Sequence, residues 1–313
     1  MRRSWIAFGV VVAAIVVAII LLASRPRPTT TTTPPPEPSP KPTTEAPAEP
    51  KEPKEPVEPK EPDEKEKAPE PPPKKLEPID PDAVLRDADA MLAGGKTTEA
   101  YRLLSDAVLR EPKARRADEM KSRLAKLSEE VFFSDKVLAP FAVAHQVVAG
   151  DALIKLAGQY KTTVELIRRI NRLKGDLLRV GQRLKIVPGG FDVAVDKSDF
   201  RLTVTKDGLW VREFMVGLGK DGTTPPGEFV AGHKLREPVY FGDGKPVPFG
   251  NKAENPLGTR WITIQAEYGI HGTWEPDALG KEGSKGCVRM ANSDIEWLFD
   301  LIVPGSSKIS IRP

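Results

Sequence analysis

The stretch of chain from residue 270 to residue 290 carries the residues best suited to chemistry. It contains the only cysteine, Cys287, and His271, one of three histidines. A lone thiol with an imidazole upstream is what a thiolate nucleophile and its general base need. A single cysteine is otherwise often a small buried apolar residue. The adjacent glycine, Gly286, favours the nucleophile in this chain.

Neighbouring residues are placed to tune this pair. Lys285 and Arg289 flank the cysteine, and their positive charges should favour the thiolate. The backbone carbonyl of Gly272 could hold the preceding imidazole in one tautomer without an acidic partner. Gly286 lets the backbone approach an acyl carbon, so amide N–H groups at this glycine and at the cysteine could hold an oxyanion.

Other chemistries find little support in the sequence. There is no His-Glu-x-x-His motif, no phosphate-binding loop and no Gly-x-Ser-x-Gly elbow. One cysteine and three scattered histidines argue against a zinc site, so we expect neither a metal nor a cofactor. His233 is an alternative base, but it falls in a predicted strand over residues 228–235.

Composition sets the N-terminal part of the chain apart. The 313 residues carry a formal net charge of +3, too small a bias to indicate a nucleic acid as partner. Most of the 32 prolines lie within residues 26–79, where Glu-Pro-Lys triplets repeat. Proline at every third position forbids a helix and favours extended polyproline II. We therefore predict a disordered linker over 26–79 that acts as a spacer.

Residues 1–25 contain an apolar run from Ile6 to Ala23. As a helix this run would span roughly 27 Å, close to the thickness of a hydrocarbon core. No clean Ala-x-Ala site follows it. The sequence therefore predicts an uncleaved single-pass membrane anchor with its N-terminus inside, and a cleaved signal peptide is the alternative.

Residues 80–135 have apolar residues at helical spacing. The pair Gly94-Gly95 ends a first predicted helix, and Pro112 breaks a second before a third begins. The segment resembles a single tetratricopeptide unit. We interpret it as a structural helical hairpin rather than a partner-binding groove.

Residues 142–188 read strand, helix, helix, strand. The first strand begins at His145, whose ring we expect to be satisfied, and Asp151 is a predicted helix cap. The segments VVAGDAL at 147–153 and VGQRLKI at 180–186 resemble a LysM domain.

The LysM resemblance implies a βααβ fold that binds N-acetylglucosamine-containing glycans such as peptidoglycan. It places the sugar in a groove between the loops 149–153 and 177–181. Gly150, Asp151 and Gly181 are the glycan-binding candidates that follow.

From residue 191 onward the pattern becomes that of a β-rich domain. Short alternating runs are separated by turn residues, and Asp207-Gly208 is a hairpin signal. This pattern suggests a β-sandwich or barrel-like fold. The further predicted elements are a strand over 209–217, one apolar helix over 294–302 and a last strand over 308–311.

Four segments of this region resemble the catalytic domain of YkuD-type L,D-transpeptidases, over residues 191–313. They are TPPGEF at 224–229, NPLGTRW at 255–261, YGIHGT at 268–273 and SKGCVRM at 284–290. The resemblance implies that the cysteine attacks a peptidoglycan stem peptide, forms a thioester and releases D-alanine. The side-chain amine of a second stem then attacks, which gives a 3→3 cross-link.

The same resemblance assigns roles to individual residues. Cys287 and His271 match the nucleophile and base of the family. Arg289 matches the position that holds a substrate carboxylate, and Ser284 and Gly286 match the loop that frames the cysteine. Many members have histidine where this chain has Lys285, so the form of the substrate-binding loop stays open.

The expected protein is thus a multi-domain, membrane-tethered enzyme whose later domains lie in the periplasm or cell wall. Its partners would be the stem peptides and glycan strands of peptidoglycan. The motif does not fix the acyl acceptor. Water would make an L,D-carboxypeptidase, and a protein amine would make a protein-anchoring enzyme. A non-catalytic wall-binding scaffold and a cysteine peptidase acting on proteins are the other hypotheses.

Overall fold

The computed structural model describes residues 78–313. The predicted anchor over 1–25, and the predicted linker up to residue 77, therefore lie outside the described residues. Within residues 78–313, the helices are all too short or too polar to cross a bilayer.

The predicted helical segment forms three helices that end in a wider, π-helical turn. Asp80 caps the first helix by accepting a hydrogen bond from the amide of Asp82 at 3.0 Å, and Gly94 ends it. The elements are α1 Pro81–Ala93, α2 Thr97–Arg110, α3 Ala117–Ser128 and the turn Glu129–Phe133.

These helices share one hydrophobic core with the C-terminal β-rich region. The fully buried Tyr101 of α2 donates its hydroxyl hydrogen bond to the carbonyl of Trp210, whose amide donates to Ser105 Oγ at 2.8 Å. Phe132, in the π-helical turn, packs edge-to-face on Phe191 with ring centroids 5.6 Å apart. The helical segment therefore packs against the C-terminal region and stabilises it.

The middle module has a strand, two helices and a strand, as its sequence predicts. Thr163 caps the second helix by accepting from the amide of Leu166, but Asp151 is not a cap. The carboxylate of Asp151 instead binds the turn before the helix, where it accepts from the Val148 amide at 2.9 Å. The elements are β1 Val143–Gln146, α4 Leu153–Gln159, α5 Val164–Ile170 and β2 Arg183–Ile186.

The C-terminal region contains a five-stranded and a four-stranded sheet. The strands of the first sheet are β3 Asp192–Asp196, β4 Arg201–Lys206, β5 Leu209–Met215, β7 Gly227–Val230 and β13 Lys308–Arg312. The strands of the second sheet are β8 Lys234–Arg236, β9 Arg260–Gln265, β10 Tyr268–Thr273 and β12 Val288–Ala291. The strand order is β5-β4-β3-β13-β7 in the first sheet and β12-β10-β9-β8 in the second.

The two sheets bury alternate residues in the same core, which the helix α6 Asn292–Phe299 also joins. Two short strands, β6 Leu218–Gly219 and β11 Glu282–Ser284, pair beside them. The predicted β-rich fold is therefore confirmed, although its helix begins and ends earlier than the predicted 294–302.

The prediction of one strand over residues 228–235 is wrong. The chain pairs with β13 as far as Val230 and then crosses to the other sheet, where β8 pairs with β9. Gly232 lies at the crossing, and a Cβ there would be 3.0 Å from the side chain of Thr263. Glycine therefore fits this point of the chain better than a larger residue, because a side chain there would crowd Thr263.

Removing the buried hydroxyl of Tyr101 tests how much its hydrogen bond stabilises the contact between α2 and the C-terminal region. Tyr101→Phe should lower the free energy of unfolding by about 1–2 kcal/mol, because the Trp210 carbonyl loses its buried donor. Urea denaturation followed by circular dichroism measures this difference. Tyr240→Phe is the matched control, since Tyr240 is only half-buried. An equal loss in both variants would contradict the inferred attachment.

Candidate active site

Parallel pairing of β10 and β12 brings the predicted nucleophile and base together. Ile270 lies opposite Val288, and His271 lies opposite Arg289. Cys287 comes directly before β12. Because side chains alternate along a strand and paired residues face the same side, the cysteine, the arginine and the histidine share one face of the sheet. Neighbouring strands lie only about 4.8 Å apart.

The ring of His271 is buried and held in one orientation. Its Nδ1 lies 2.6 Å from the carbonyl oxygen of Gly272, as the sequence predicts, and the ring stacks on Trp261 at a centroid distance of 5.7 Å. A carbonyl only accepts hydrogen bonds, so Nδ1 carries the proton and Nε2 carries the lone pair that a base needs. The backbone of Leu257 also lies close enough to the ring to affect its pKa. Burial lowers the pKa of His271 to about 4, so the ring is neutral at neutral pH.

Asn292 holds the backbone on either side of the His271 site in place. Its Oδ1 accepts from the Thr259 amide at 3.0 Å, and its Nδ2 donates to the Thr273 carbonyl at 2.9 Å. A Cβ on Gly272 would lie 2.1 Å from Asn292 Oδ1, and one on Gly258 would lie 2.4 Å from the Gly272 backbone. Only glycine therefore fits at both positions, and their packing fixes the carbonyl that orients the imidazole.

Cys287 is a partly exposed, neutral thiol in this state. Burial raises its pKa, while a hydrogen bond from the Gly269 backbone and the charge of Arg289 act in the opposite direction. The charge of Arg289 therefore favours the thiolate, as the sequence predicts, whereas Lys285 is not among the groups that shift the thiol pKa. Lys285 points to solvent, and desolvation of the sulfur outweighs the charge of Arg289.

Ser284 shapes the loop that carries the cysteine. Its hydroxyl donates to the Cys287 carbonyl at 2.7 Å and accepts from the Gly286 amide at 3.1 Å. The N–H of Gly286 is thus already bonded and does not serve as the predicted oxyanion donor. The N–H of Cys287, for which the described residues supply no acceptor, remains as the candidate donor.

Gly286 has a different function in the loop. Its φ is +122°, and a Cβ there would lie 2.3 Å from the ring of Tyr268. Glycine is therefore required for the backbone conformation and for the packing of this ring.

The guanidinium of Arg289 has unused hydrogen-bonding capacity beside the sulfur. Its Nη1 lies 3.5 Å from a carboxylate oxygen of the exposed Glu275, and its buried Nε has no partner among the described residues. The Arg289 backbone is fixed by a reciprocal pair of hydrogen bonds with Gly217, at 2.8 and 2.9 Å. A firmly held arginine with a spare donor suits an incoming carboxylate.

Comparisons with known proteins give the family. The L,D-transpeptidase catalytic domain matches residues 191–311, and the LysM domain matches residues 145–187. YkuD of Bacillus licheniformis, named as an L,D-transpeptidase, is 32% identical over 179 residues, which cover 54% of this chain and 98% of the relative. YqjB of Bacillus subtilis is 38% identical over 127 residues, covering 38% of this chain and 70% of the relative.

The chain belongs to the YkuD family of L,D-transpeptidases. Among solved structures, the catalytic domain of the L,D-transpeptidase from Enterococcus faecium is 26% identical. It covers 39% of this chain and 96% of the other, with a TM-score of 0.33.

Within the L,D-transpeptidase domain, His233 lies far from Cys287. This alternative base is exposed and lies between β7 and β8, at the opposite edge of the sheet from β12. Its carbonyl accepts from the Thr263 amide at 3.0 Å, which fixes the backbone and not the ring. Among the described residues, no His, Cys, Asp and Glu group is suited to a metal ion.

The predicted glycan-binding residues of the LysM domain lie in two touching loops. Gly150 and Gly181 both have positive φ, at +89° and +85°, and the Gly181 amide donates to the Val147 carbonyl at 2.8 Å. The ring of His145 is satisfied, as predicted. It lies 2.9 Å from the Asp151 carboxylate and 3.0 Å from the hydroxyl of Tyr160.

The pH dependence of alkylation at Cys287 tests how Lys285 and Arg289 each affect the pKa of the thiol. We expect iodoacetamide to alkylate Cys287 more slowly than a free cysteine peptide at neutral pH, with a rate that rises steeply as pH increases. Arg289→Gln should move this profile to higher pH, because it removes a charge that lowers the pKa. Lys285→Gln should leave the profile in place. Mass spectrometry gives the rate, since the chain has a single cysteine.

Circular dichroism of both variants controls for misfolding. Equal shifts in the two variants, or rapid alkylation of the wild type at neutral pH, would contradict the assignment of a neutral resting thiol.

Proposed function

We propose that this protein is a peptidoglycan L,D-transpeptidase that forms 3→3 cross-links through a thioester on Cys287. The observation that supports it best is the neutral, buried imidazole of His271, oriented by the Gly272 carbonyl on the strand beside the cysteine. An unprotonated Nε2 on the same face as a thiol is the arrangement that general-base activation of a nucleophile requires.

In the proposed first step, Nε2 of His271 takes the thiol proton as Sγ attacks the carbonyl of the third stem residue. The C–S bond forms while the carbonyl becomes an oxyanion, which the N–H of Cys287 would stabilise. When the oxyanion collapses, the bond to D-alanine breaks and the imidazolium gives its proton to the leaving amine. The products are a thioester on the enzyme and free D-alanine.

The raised pKa of the thiol fits this sequence of events. Both partners are neutral before substrate arrives, because burial disfavours the thiolate and the imidazolium alike. Proton transfer would then accompany attack, when the developing charges lie next to each other. Arg289 would meanwhile hold a carboxylate of the donor stem, using the donors that the described residues leave free.

The second step sets the biological outcome. The side-chain amine of another stem attacks the thioester and His271 takes the amine proton. As the C–S bond breaks, the imidazolium gives this proton to the leaving sulfur, which returns the thiol and the neutral base. If water replaces the amine, the same residues give an L,D-carboxypeptidase. The choice depends on whether the acceptor amine binds before water reaches the thioester.

The LysM domain would hold the glycan strand that carries the stems. Four apolar side chains in or next to its two loops are unusually exposed for their type: Val148 at 57%, Ile154 at 72%, Leu177 at 88% and Val180 at 73%. Exposed apolar groups beside free backbone positions suit the apolar faces of sugar rings. We also propose that residues 1–25 tether the protein to the membrane and that residues 26–79 space it from the bilayer.

The cysteine provides the direct test. Cys287→Ala should abolish cross-linking of purified tetrapeptide stems, a loss of at least about 10⁴-fold, because no other nucleophile is placed to form the thioester. Binding of the variant to insoluble peptidoglycan should persist. Mass spectrometry of the wild type incubated with the stems should show a tripeptide adduct on Cys287.

The two histidines supply a matched pair of variants. His271→Gln should reduce cross-linking strongly, whereas His233→Gln should leave it unchanged, since His233 lies at the far edge of the sheet. Cross-linking at the wild-type rate by the Cys287→Ala protein would refute the proposal. A tripeptide product without cross-links would point to the carboxypeptidase.

A further inference from the structure

A cluster of arginines lies where the LysM domain meets the catalytic sheet. Arg168, Arg169 and Arg172 come from α5 and the turn after it, and Arg236 comes from β8. They line a cleft of about 440 Å³ together with Leu173 and two carboxylates, Glu165 and Asp300. The lining thus carries more positive than negative charge.

Ion pairs inside the cleft do not use all of this charge. Arg236 pairs with Glu165 at 2.9 Å and Arg169 pairs with Asp300 at 2.7 Å. Arg168 pairs with Asp176, which lies outside the lining of the cleft. Arg172 is exposed and makes no ion pair with a described residue. A guanidinium offers five N–H donors, so even the paired arginines keep donors for another anion.

The positive charge continues along the catalytic sheet. Lys234 Nζ, Arg236 Cζ and Arg260 Cζ lie 4.4, 5.1 and 5.5 Å from the centre of the Phe299 ring. Three cations on one ring repel each other. Glu165 pairs with Arg236 at 2.9 Å and Glu296 lies 4.0 Å from Arg260, whereas Lys234 donates to the Phe299 carbonyl and makes no ion pair with a described residue. We call Arg168, Arg169, Arg172, Lys234, Arg236 and Arg260 the basic strip.

The basic strip reaches from the LysM domain towards the catalytic residues. Arg260 opens β9 next to Thr259, whose amide is held by Asn292 behind the His271 ring. The two domains are fixed against each other, because Thr163 Oγ1 donates to the Asp300 carbonyl and Arg169 pairs with the same residue. The spacing of the cations from α5 to β9 is therefore built into the fold.

We infer that the basic strip binds carboxylate groups of peptidoglycan stem peptides on the strand that the LysM domain holds. This inference rests on the proposed function. Guanidinium groups bind carboxylates through paired N–H donors, and stem peptides carry carboxylates at intervals along the glycan. A stem bound at the strip and a sugar bound at the LysM loops raise each other's effective concentration.

The structural alternative is that the arginines only complement the C-terminal end of α5 and make surface ion pairs. In that case they would contribute nothing to wall binding. Arg172 distinguishes the two readings because it is unpaired and exposed, and because its removal spares the inter-domain ion pairs.

Binding of the full chain in the Cys287→Ala background is the test, so that no substrate is consumed. The probes are peptidoglycan freed of phosphate polymers with hydrofluoric acid, the same material with its carboxylates amidated, and chitin. We expect Arg172→Gln to bind the acid-treated peptidoglycan about fivefold more weakly. It should match the unsubstituted chain on amidated peptidoglycan and on chitin.

Arg312→Gln is the matched control, since it removes an exposed arginine from the other sheet. Its affinity for all three probes should be unchanged. Unaltered binding of Arg172→Gln to acid-treated peptidoglycan, or an equal loss on chitin, would overturn the inference. A loss seen only before hydrofluoric acid treatment would assign the strip to a phosphate polymer and would also overturn it.

This experiment is independent of the catalytic proposal. Cross-linking that survives Cys287→Ala would remove the proposed function without altering the binding ratios. Normal binding by Arg172→Gln would remove the basic strip as a site while leaving the thioester chemistry intact.

Discussion

The hydrogen bond between Nδ1 of His271 and the Gly272 carbonyl, at 2.6 Å, is the contact on which the catalytic arrangement depends. It fixes the tautomer with a backbone group and needs no buried carboxylate. A carboxylate partner would stabilise the imidazolium and raise the pKa, whereas burial beside a carbonyl keeps the ring neutral. The carbonyl is itself held because Gly272 and Gly258 pack on each other and on Asn292.

A neutral thiol at position 287 is less open to chemical damage than a thiolate. The thiolate, not the thiol, reacts with oxidants and electrophiles. A sulfur whose pKa is raised by burial is therefore less exposed to such reagents. Arg289, on the same face of the sheet, limits how far burial raises this pKa and so keeps activation within reach.

The sequence predicted what depends on local chemistry. Cys287, His271 and the Gly272 carbonyl lie in two short segments, so residue type and spacing identify them. Asn292 was missed because its partners, Thr259 and Thr273, are brought to it by tertiary packing. The signal available was indirect: a glycine at position 258 marks a close approach without naming the neighbour.

Long-range packing explains the other differences as well. Val230 and Lys234 both lie in a stretch whose residues suit a strand. Nothing in the pattern of that stretch shows that the two residues pair in different sheets. Asp151 has the residue type of a helix cap, yet a nearby amide and the His145 ring compete for its carboxylate. In each case two local structures suit the sequence, and contacts with distant residues decide between them.

The described domains also depend on each other for their placement. The LysM core is small, with seven buried apolar residues: Val147, Leu153, Leu156, Ala157, Ile167, Leu184 and Ile186. A core of this size gives marginal stability on its own. Contacts on two sides add to it. Lys185 Nζ donates to the Val131 carbonyl at 2.8 Å in the helical segment, and Arg169 pairs with Asp300 of the catalytic domain. Because the same contacts that stabilise the module set its orientation, the distance from the LysM loops 149–153 and 177–181 to Cys287 is fixed by folding.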